Sequence, residues 1–210
     1  MSSTFLNLIK TRRTHYGLSK VSTVPDAKLR SIVEEAVKYT PSPFNMQAGR
    51  AIVVTGNRSD SLWEKIVKPG HLKTLGEDEA SIKVYTQKIS EYAAGYGTIL
   101  FFEDQAIVNA MSAKIVAFAS EFPVWSENAT GMLQSNVWTA LALEGMGASL
   151  QHYTAYSPEV SANVLKEFDL PTTWKCTAMM PFGVPTGEPG NPSRPKTFIP
   201  VEERVKVFFE

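Results

Sequence analysis

Cysteine and histidine are scarce in this sequence, which has one cysteine and three histidines. A single cysteine, Cys176, excludes a disulfide within the chain and is typical of proteins in a reducing compartment. The histidines, His15, His71 and His152, are not spaced from one another or from Cys176 as metal ligands usually are. We therefore expect neither a disulfide framework nor a resident metal ion.

The sequence also lacks an excess of charge of either sign. Lysine plus arginine and aspartate plus glutamate number 21 each, which gives a formal net charge of zero. A balanced chain has no long-range attraction to nucleic acid or to an anionic membrane surface. No stretch approaches the apolar length of a membrane span, and the N-terminal segment has no apolar core of the kind that directs secretion. These absences predict a soluble, cytoplasmic protein with no nucleic-acid or membrane partner.

The usual patterns of protein-based catalysis are missing as well. The sequence has no glycine-lysine loop for phosphate, no strand-turn-helix serine elbow and no outstanding pair of carboxylates. The segment Glu144-Gly145-Met146-Gly147 superficially looks like a dinucleotide fingerprint. It follows a predicted helix, precedes a predicted strand and lacks the third glycine, so we reject that interpretation. A site without an obvious protein nucleophile indicates that a bound cofactor carries the reaction.

The length of the chain and its 43% hydrophobic content fit a single domain over residues 1–210. Apolar residues at helical spacing predict helices, and short apolar runs predict strands. Seven helices are predicted. In chain order, the first starts at Thr4, the second covers residues 25–40, the third runs from 59 or 60 to Pro69-Gly70, and the fourth covers 77–94. The fifth follows Asp104, the sixth covers 126–145, and the seventh starts at Ser157. The predicted strands cover residues 51–55, 98–102, 148–153, 174–180 and 205–209. The last strand follows an irregular arm over residues 181–200, so it is free to pair outside its own subunit.

The loop over residues 39–50 connects the helix that ends at Thr40 to the strand at 51–55. Pro41 and Pro43 exclude a helical connection because they fix φ and push the residues before them towards extended geometry. Ser42, Asn45 and Gln47 then offer short polar side chains at the edge of the sheet. Such a loop either holds a planar polar ligand or is an ordinary connection between a helix and a strand.

Two further segments each have a functional and a structural interpretation. Arg12 and Arg13 lie between threonines, and paired guanidinium groups suit a phosphate monoester, although they also suit a solvated helix end. The aromatic segment 118–125, which Pro123 interrupts, is either a turn that faces the core or a flexible wall for an aromatic substrate.

Together, these motifs resemble the FMN-dependent nitroreductase family. The resemblance is carried in order by Arg12-Arg13-Thr14, by residues 41–47, by the helix over 133–147, and by Gly183-Val184-Pro185 with Arg194 and Lys196 downstream. It extends over nearly the whole chain. The compact length and the segment 183–187 are most similar to the small branch that includes fungal proteins linked to fatty-acid signalling.

The resemblance implies an α+β fold in which a mixed, mainly antiparallel sheet is flanked by helices. It also implies an intertwined homodimer that binds two FMN molecules at the subunit interface. Arg12 and Arg13 would hold the FMN phosphate with Arg194 or Lys196, and Thr14 would assist them.

The same resemblance assigns the rest of the cofactor site. Pro41 and Ser42 would lie against the isoalloxazine ring, Asn45 and Gln47 would bond its polar edge, and the backbone around Gln151, His152 and Tyr153 would reach the N5/O4 edge. Larger members of the family have an acidic residue and a glycine where this chain has His152-Tyr153. Three aromatic side chains are expected to form the acceptor walls: Phe44, Phe122 and Trp125.

The implied reaction is hydride transfer from NADH or NADPH to flavin N5 and then to a nitroaromatic or quinone-like acceptor, by a ping-pong mechanism. No protein side chain is required as a catalytic group, since solvent can supply protons. A flavin-binding regulatory protein with incidental turnover is the alternative function. A helical module without a cofactor leaves the Arg12-Arg13 and 42–47 patterns unexplained.

Overall fold

A four-stranded antiparallel sheet lies at the centre of the protein, whose computed structural model describes residues 2–209. The strands are β1 (Gly49–Thr55), β2 (Gly97–Asp104), β3 (Gly147–Ala148) and β4 (Trp174–Gly183). Their order across the sheet is β1-β2-β4-β3, and neighbouring strands are antiparallel. An isolated parallel bridge joins Thr14 to Ala148. The sheet is therefore mixed but mainly antiparallel, as predicted.

Helices cover both faces of this sheet, which confirms the predicted α+β class. The α-helices are α1 (Ser2–Thr11), α2 (Asp26–Tyr39), α3 (Gly56–Ser61), α4 (Lys68–Thr74), α5 (Glu79–Ala93), α6 (Gln105–Lys114), α7 (Phe122–Leu143), α8 (Tyr153–Tyr156), α9 (Pro158–Glu167) and α10 (Val201–Arg204). A π-helical turn spans Leu62–Val67, and 3-10 turns span Pro43–Asn45 and Val116–Phe118. In the part of the chain that the structure describes, no helix has the length and apolar character needed to cross a membrane.

Strand β2 organises the core because its side chains alternate between two apolar clusters. Leu100 and Phe102 belong to a cluster around Trp63, while Ile99 and Phe101 belong to a cluster that includes the buried face of α7. All four β2 side chains are completely buried. Burial of each such side chain contributes about 1.5–3 kcal/mol, so a polar substitution in β2 would affect both layers.

The helix predicted to stop at Pro69-Gly70 continues through both residues, so that prediction was wrong. Pro69 lies in the first turn of α4, directly after the π-helical turn at Leu62–Val67. A Cβ built on Gly70 would lie 2.5 Å from Cγ2 of Val160. Glycine at this position allows α9 to approach closely, and it does not end the helix.

Helix α7 begins at Phe122, four residues before its predicted start near Ser126. Pro123 occupies the first turn of α7, where proline is well tolerated.

The loop before β1 also contains a helical turn that begins at a proline. A 3-10 turn starts at Pro43, although Pro41 and Pro43 were expected to exclude any helical turn. Ser42, the residue before Pro43, is extended as predicted, with a φ of −139°.

Two strand predictions were wrong. Only Gly147–Ala148 of the segment 147–153 forms a strand with β4, after which Gln151 makes an isolated bridge to Met179 and α8 begins. Residues 205–209 form no strand in the described chain, and their apolar side chains are exposed. An apolar run becomes a strand only where another strand lies beside it, which the sequence of the run does not determine.

Candidate functional site

A cavity of about 740 Å³ lies where the chain leaves α1 and passes the end of the sheet. Its walls come from the segment after α1, from α5, from the segment between β3 and α8, and from the arm after β4. The predicted cofactor-binding residues that line it are Arg12, Arg13, Thr14, Gln151, His152, Tyr153, Arg194 and Lys196. Segments distant in the sequence therefore meet at one cavity.

The N-terminal wall presents the adjacent guanidinium groups of Arg12 and Arg13. Cζ of Arg12 lies 4.2 Å from the centroid of the Trp138 ring on α7. Burial, and to a lesser extent the charge of Arg13, lowers the pKa of Arg12 from its ordinary value. An arginine stays protonated at neutral pH even so, and both residues therefore bring positive charge to the cavity.

The arm after β4 folds back along the segment after α1 through a series of backbone hydrogen bonds. Ser19 donates its amide hydrogen to the Val184 carbonyl over 2.9 Å, and Thr186 donates to Gly17 over 3.1 Å. Gly190 donates to the Thr14 carbonyl over 2.7 Å. These bonds return the chain to the cavity, and the arm there contributes Arg194 and Lys196 to the wall.

The charges around the cavity are predominantly positive. Four arginine and lysine side chains from the predicted set are joined by Lys88 on α5, against a single carboxylate from Glu91. Guanidinium and ammonium groups are the preferred protein ligands of phosphate, with arginine able to bind it through two parallel hydrogen bonds. The chemistry of this lining fits a dianionic phosphate on a larger ligand.

The backbone at residues 151–153 is only partly available to a ligand. Gln151 exchanges two hydrogen bonds with Met179, each of 2.8 Å, so its amide hydrogen is already used. The amide hydrogens of His152 and Tyr153 donate to no acceptor within residues 2–209. Of the three residues predicted to reach a ligand through their backbone, only His152 and Tyr153 therefore have amide hydrogens available for it.

Tyrosine side chains form the apolar wall of the cavity. Burial raises the pKa of Tyr92 to about 12 and also raises the pKa of Tyr153. Behind them, the ring of His71 lies edge-on to Tyr85 and Tyr153, with centroid distances of 4.6 and 4.8 Å. His71 is buried, and neither imidazole nitrogen has a hydrogen-bond partner in the described chain. The wall is therefore uncharged at neutral pH and provides flat surfaces.

The predicted ring-side residues Pro41, Ser42, Asn45 and Gln47 do not line this cavity. Their loop is closed on itself, because Oγ of Ser42 accepts a hydrogen bond of 3.0 Å from the Gln47 amide. Phe44, Asn45 and Gln47 have positive φ angles of 52°, 51° and 51°. Left-handed conformations of this kind are uncommon outside glycine and collect at functional sites. Within one chain, the basic cavity and this loop are separate surfaces.

The three predicted acceptor-wall residues lie together beside that loop. The ring of Phe44 stacks on Trp125 with a centroid distance of 6.1 Å and lies 5.6 Å from Phe122. Phe44 is 57% exposed, whereas Phe122 is completely buried. Phe118, the first residue of the aromatic segment 118–125, also packs against Phe44 and is exposed. The surface that a ligand can reach is consequently formed by Phe44 and Phe118, with Phe122 beneath them.

Sequence reasoning missed the contribution of α5 to the cavity. Tyr85, Lys88 and Tyr92 recur at three- and four-residue spacing, so they share one helical face. The helix over 77–94 is predicted from the sequence without any site residue, although a lysine between two tyrosines on one face is an available signal that this face meets a ligand. The other lining residues that were not predicted are Tyr16, Glu91, Leu150, Tyr156, Gly190, Asn191 and Pro192.

Comparison with known proteins identifies the family. A model of the nitroreductase family matches residues 9–184. The chain belongs to the nitroreductase family. It is similar to nitroreductase FRM2 of Saccharomyces cerevisiae, with 31% identity over 93% of this chain and 93% of that protein. This likeness to a yeast nitroreductase agrees with the predicted resemblance to fungal members.

Solved nitroreductase structures share the fold. CinD from Lactococcus lactis, solved in complex with chloramphenicol, is 38% identical, with a TM-score of 0.84 over 98% of this chain and 100% of that chain. CinD has also been solved with 4-nitrophenol and with nicotinic acid. A protein from Desulfovibrio desulfuricans in complex with FMN has the same fold at 18% identity, with a TM-score of 0.66 over 98% of this chain and 97% of that chain. Nitroreductases are oxidoreductases that generally bind flavin.

Proposed function

We propose that this nitroreductase is an FMN-dependent NAD(P)H oxidoreductase that reduces nitroaromatic or quinone-like acceptors. The observation that carries the proposal is the convergence of Arg12, Arg13, Arg194 and Lys196 on one cavity, beside a tyrosine wall. A phosphate at the basic end and a flat ring along the aromatic end would satisfy both parts of this lining.

The size and the chemistry of the cavity are consistent with FMN. Its volume of about 740 Å³ lies within the range of roughly 300–1,000 Å³ that is usual for cofactor and ligand sites. Arg12, Arg13 and Thr14 would hold the phosphate from one side, and Arg194 or Lys196 from the other. The free amide hydrogens of His152 and Tyr153 are available for polar atoms of the ring.

FMN held by these residues would supply the hydride chemistry between NADH or NADPH and the acceptor, in a ping-pong cycle through flavin N5. Lys88 would stabilise negative charge that develops on the ring, since a preorganised cation in a partly dry site acts strongly there. Tyr92 and Tyr153 are poor proton donors at neutral pH, because burial raises the pKa of both. Protons would therefore come from solvent.

A second copy of the chain would complete the site as an intertwined homodimer. Strand β1 is at the edge of the sheet, so its outer side has no partner strand among residues 2–209. The C-terminal segment carries apolar side chains that are exposed in the single chain: Phe198, Ile199, Val201, Val205, Val207, Phe208 and Phe209. An extended apolar segment and an open sheet edge are complementary surfaces. Dimerisation would also bring the ring-side loop of one subunit to the basic cavity of the other.

The acceptor class is supported by the exposed aromatic faces beside the ring-side loop and by the CinD complexes. Phe44 and Phe118 offer rings on which a planar aromatic acceptor would stack. CinD, which is 38% identical, binds chloramphenicol and 4-nitrophenol. Both observations favour a nitroaromatic compound over a small aliphatic acceptor.

One purification tests the proposal. We expect a yellow dimer whose visible spectrum is that of bound flavin and which oxidises NADH or NADPH when 4-nitrophenol or a quinone is added. A colourless monomer that takes up no FMN on soaking would contradict the proposal. A yellow dimer that is reduced by NAD(P)H but turns over slowly with every acceptor would favour the alternative function, a flavin-binding redox sensor.

A further inference from the structure

Among the cavity arginines of residues 2–209, Arg12 is the one whose guanidinium lies over an aromatic ring of a helix. Cζ of Arg12 is 4.2 Å from the ring centroid of Trp138. Trp138 belongs to α7, the longest helix of the described chain, and packs against the core cluster that includes Leu141. The ring is therefore fixed from behind and presents its face to the guanidinium.

Hydrogen bonding does not explain a tryptophan at this position. The indole Nε1 of Trp138 is buried and has no hydrogen-bond partner within residues 2–209. A leucine or methionine would fill the same space without leaving a polar group unpaired. What tryptophan adds is the largest aromatic face available to a cation.

Arg12 needs such a support because of its surroundings. Its guanidinium is partly desolvated and lies beside the like charge of Arg13, and both effects lower its pKa. No carboxylate makes a salt bridge with Arg12 in the described chain. Stacking on the indole stabilises the cation without neutralising it, and it leaves the N–H edges of the guanidinium free.

We infer that Trp138 is a positioning residue, which holds the Arg12 guanidinium over its indole ring on α7 so that the N–H groups of Arg12 meet the phosphate of the ligand. This inference rests on the proposed binding of FMN and goes beyond it, since it assigns the affinity for the phosphate in part to a residue that does not line the cavity. The predicted signature is selectivity between FMN and riboflavin, which carry the same ring and differ in the phosphate.

The experiment measures dissociation constants for FMN and for riboflavin with the apo form of the full chain, by quenching of flavin fluorescence. Trp138→Met fills the space with a flexible apolar chain and removes the aromatic face. We expect it to reduce the ratio of FMN affinity to riboflavin affinity by about tenfold, which is between the effects of an exposed and of a fully desolvated cation on an aromatic ring. Trp138→Phe keeps an aromatic face and is expected to retain most of the selectivity.

The chain provides a matched control in a second pair of arginine and tryptophan. Arg50 lies over Trp174 at 5.8 Å, away from the cavity. Trp174→Met removes a packed indole of the same kind and is expected to leave the ratio unchanged. If Trp138→Met does not fold, Trp138→Phe and Trp138→Leu give the same comparison.

Each outcome has one meaning. Equal selectivity in wild type, Trp138→Met and Trp174→Met would overturn the positioning role while leaving the proposed function intact. A loss of FMN and riboflavin affinity in equal proportion would also overturn it, because a purely structural effect acts on both ligands. A wild-type protein that binds neither flavin would overturn the proposed function and the inference together.

Discussion

Gly190 donates its amide hydrogen to the carbonyl oxygen of Thr14 over 2.7 Å, and through this bond the arm after β4 is fastened to the first basic segment. The φ angle of Gly190 is 85°, in the region that side chains with a Cβ rarely adopt. The two halves of the basic cavity are therefore joined at a residue whose backbone conformation requires glycine.

Gly190→Ala should loosen this attachment. Alanine at a positive φ costs about 1 kcal/mol or more, and the arm can relieve the strain by leaving Thr14. We expect FMN affinity to fall by about fivefold, measured by titration of the apo protein. Gly187→Ala is the control, since Gly187 lies in the same arm and a Cβ there would meet nothing within 4 Å. Equal effects of the two substitutions would contradict the role of the Gly190 conformation.

Arg12→Ala should release FMN while the fold and the dimer are retained. A charged hydrogen bond to phosphate is worth about 1.5–3 kcal/mol, so we expect affinity to fall by roughly tenfold to a hundredfold. The measurement is the flavin content of the purified protein together with the dissociation constant. Arg30→Ala is the control, because Arg30 pairs with Glu34 on the exposed surface of α2. A full yellow flavin complement in Arg12→Ala would show that Arg12 does not hold the phosphate.

His71 should make the protein less stable in acid. Burial lowers the pKa of His71 from its ordinary value of 6.5, and the groups that face it are the uncharged rings of Tyr85, Tyr153 and Tyr156. Below pH 6.5 the unfolded chain binds a proton at this position that the folded chain resists. The stability conferred by neutral His71 is thus present above pH 6.5 and is lost as the pH falls through the lowered pKa.

His71→Phe keeps a flat ring and removes the titration, so we expect its melting temperature to fall less than that of wild type between about pH 7 and pH 5. His15 provides a second acid-sensitive group, since burial lowers its pKa as well, and some decline should remain in the variant. The measurement is thermal unfolding across that pH range. Parallel decline in the two proteins would show that His71 is not responsible.

The exposed C-terminal phenylalanines should support the dimer. Phe208 and Phe209 are 92% and 93% exposed in the single chain, an uncommon state for large apolar side chains. Replacement of both by aspartate should weaken the dimer by about a hundredfold or more, because charge would replace buried apolar surface. Sedimentation velocity gives the readout, and Glu202→Gln on α10 is the control. An unchanged dimer in the double variant would place the interface elsewhere.

The sequence predicted the elements whose formation depends on local pattern. The helix over 25–40 and the strand at 51–55 were found because their apolar spacing, with Pro25 at the start of the helix, is a property of the segment itself. Arg12 and Arg13 were selected from the sequence because adjacent guanidinium groups suit a phosphate, and the structure places both in the wall of the cavity. The order of these motifs along the chain added the family and the fold.

The failures concern properties that depend on a neighbour. Residues 149–153 have strand-like composition, but in this segment β4 receives only an amide hydrogen bond from Ser149 and an isolated bridge from Gln151, so no ladder forms. Lys88 faces the cavity because the packing of Ile89 in the core fixes the orientation of α5. The closure of the 41–47 loop on itself likewise depends on hydrogen bonds within the loop, among them those from the Asn45 and Gln47 amides to Ser42. The spacing of residues within a segment does not show which strand lies beside it, how a helix is oriented or which hydrogen bonds a loop makes.

The separation between the basic cavity and the ring-side loop has a consequence for how the protein would behave in dilute solution. If FMN is held by surfaces of two subunits, dissociation of the pair removes half of its contacts, and mass action then couples cofactor retention to protein concentration. Dilution would release FMN from the protein, and excess FMN would restore the flavin-bound dimer. A preparation handled at low concentration would consequently lose activity without any damage to either chain.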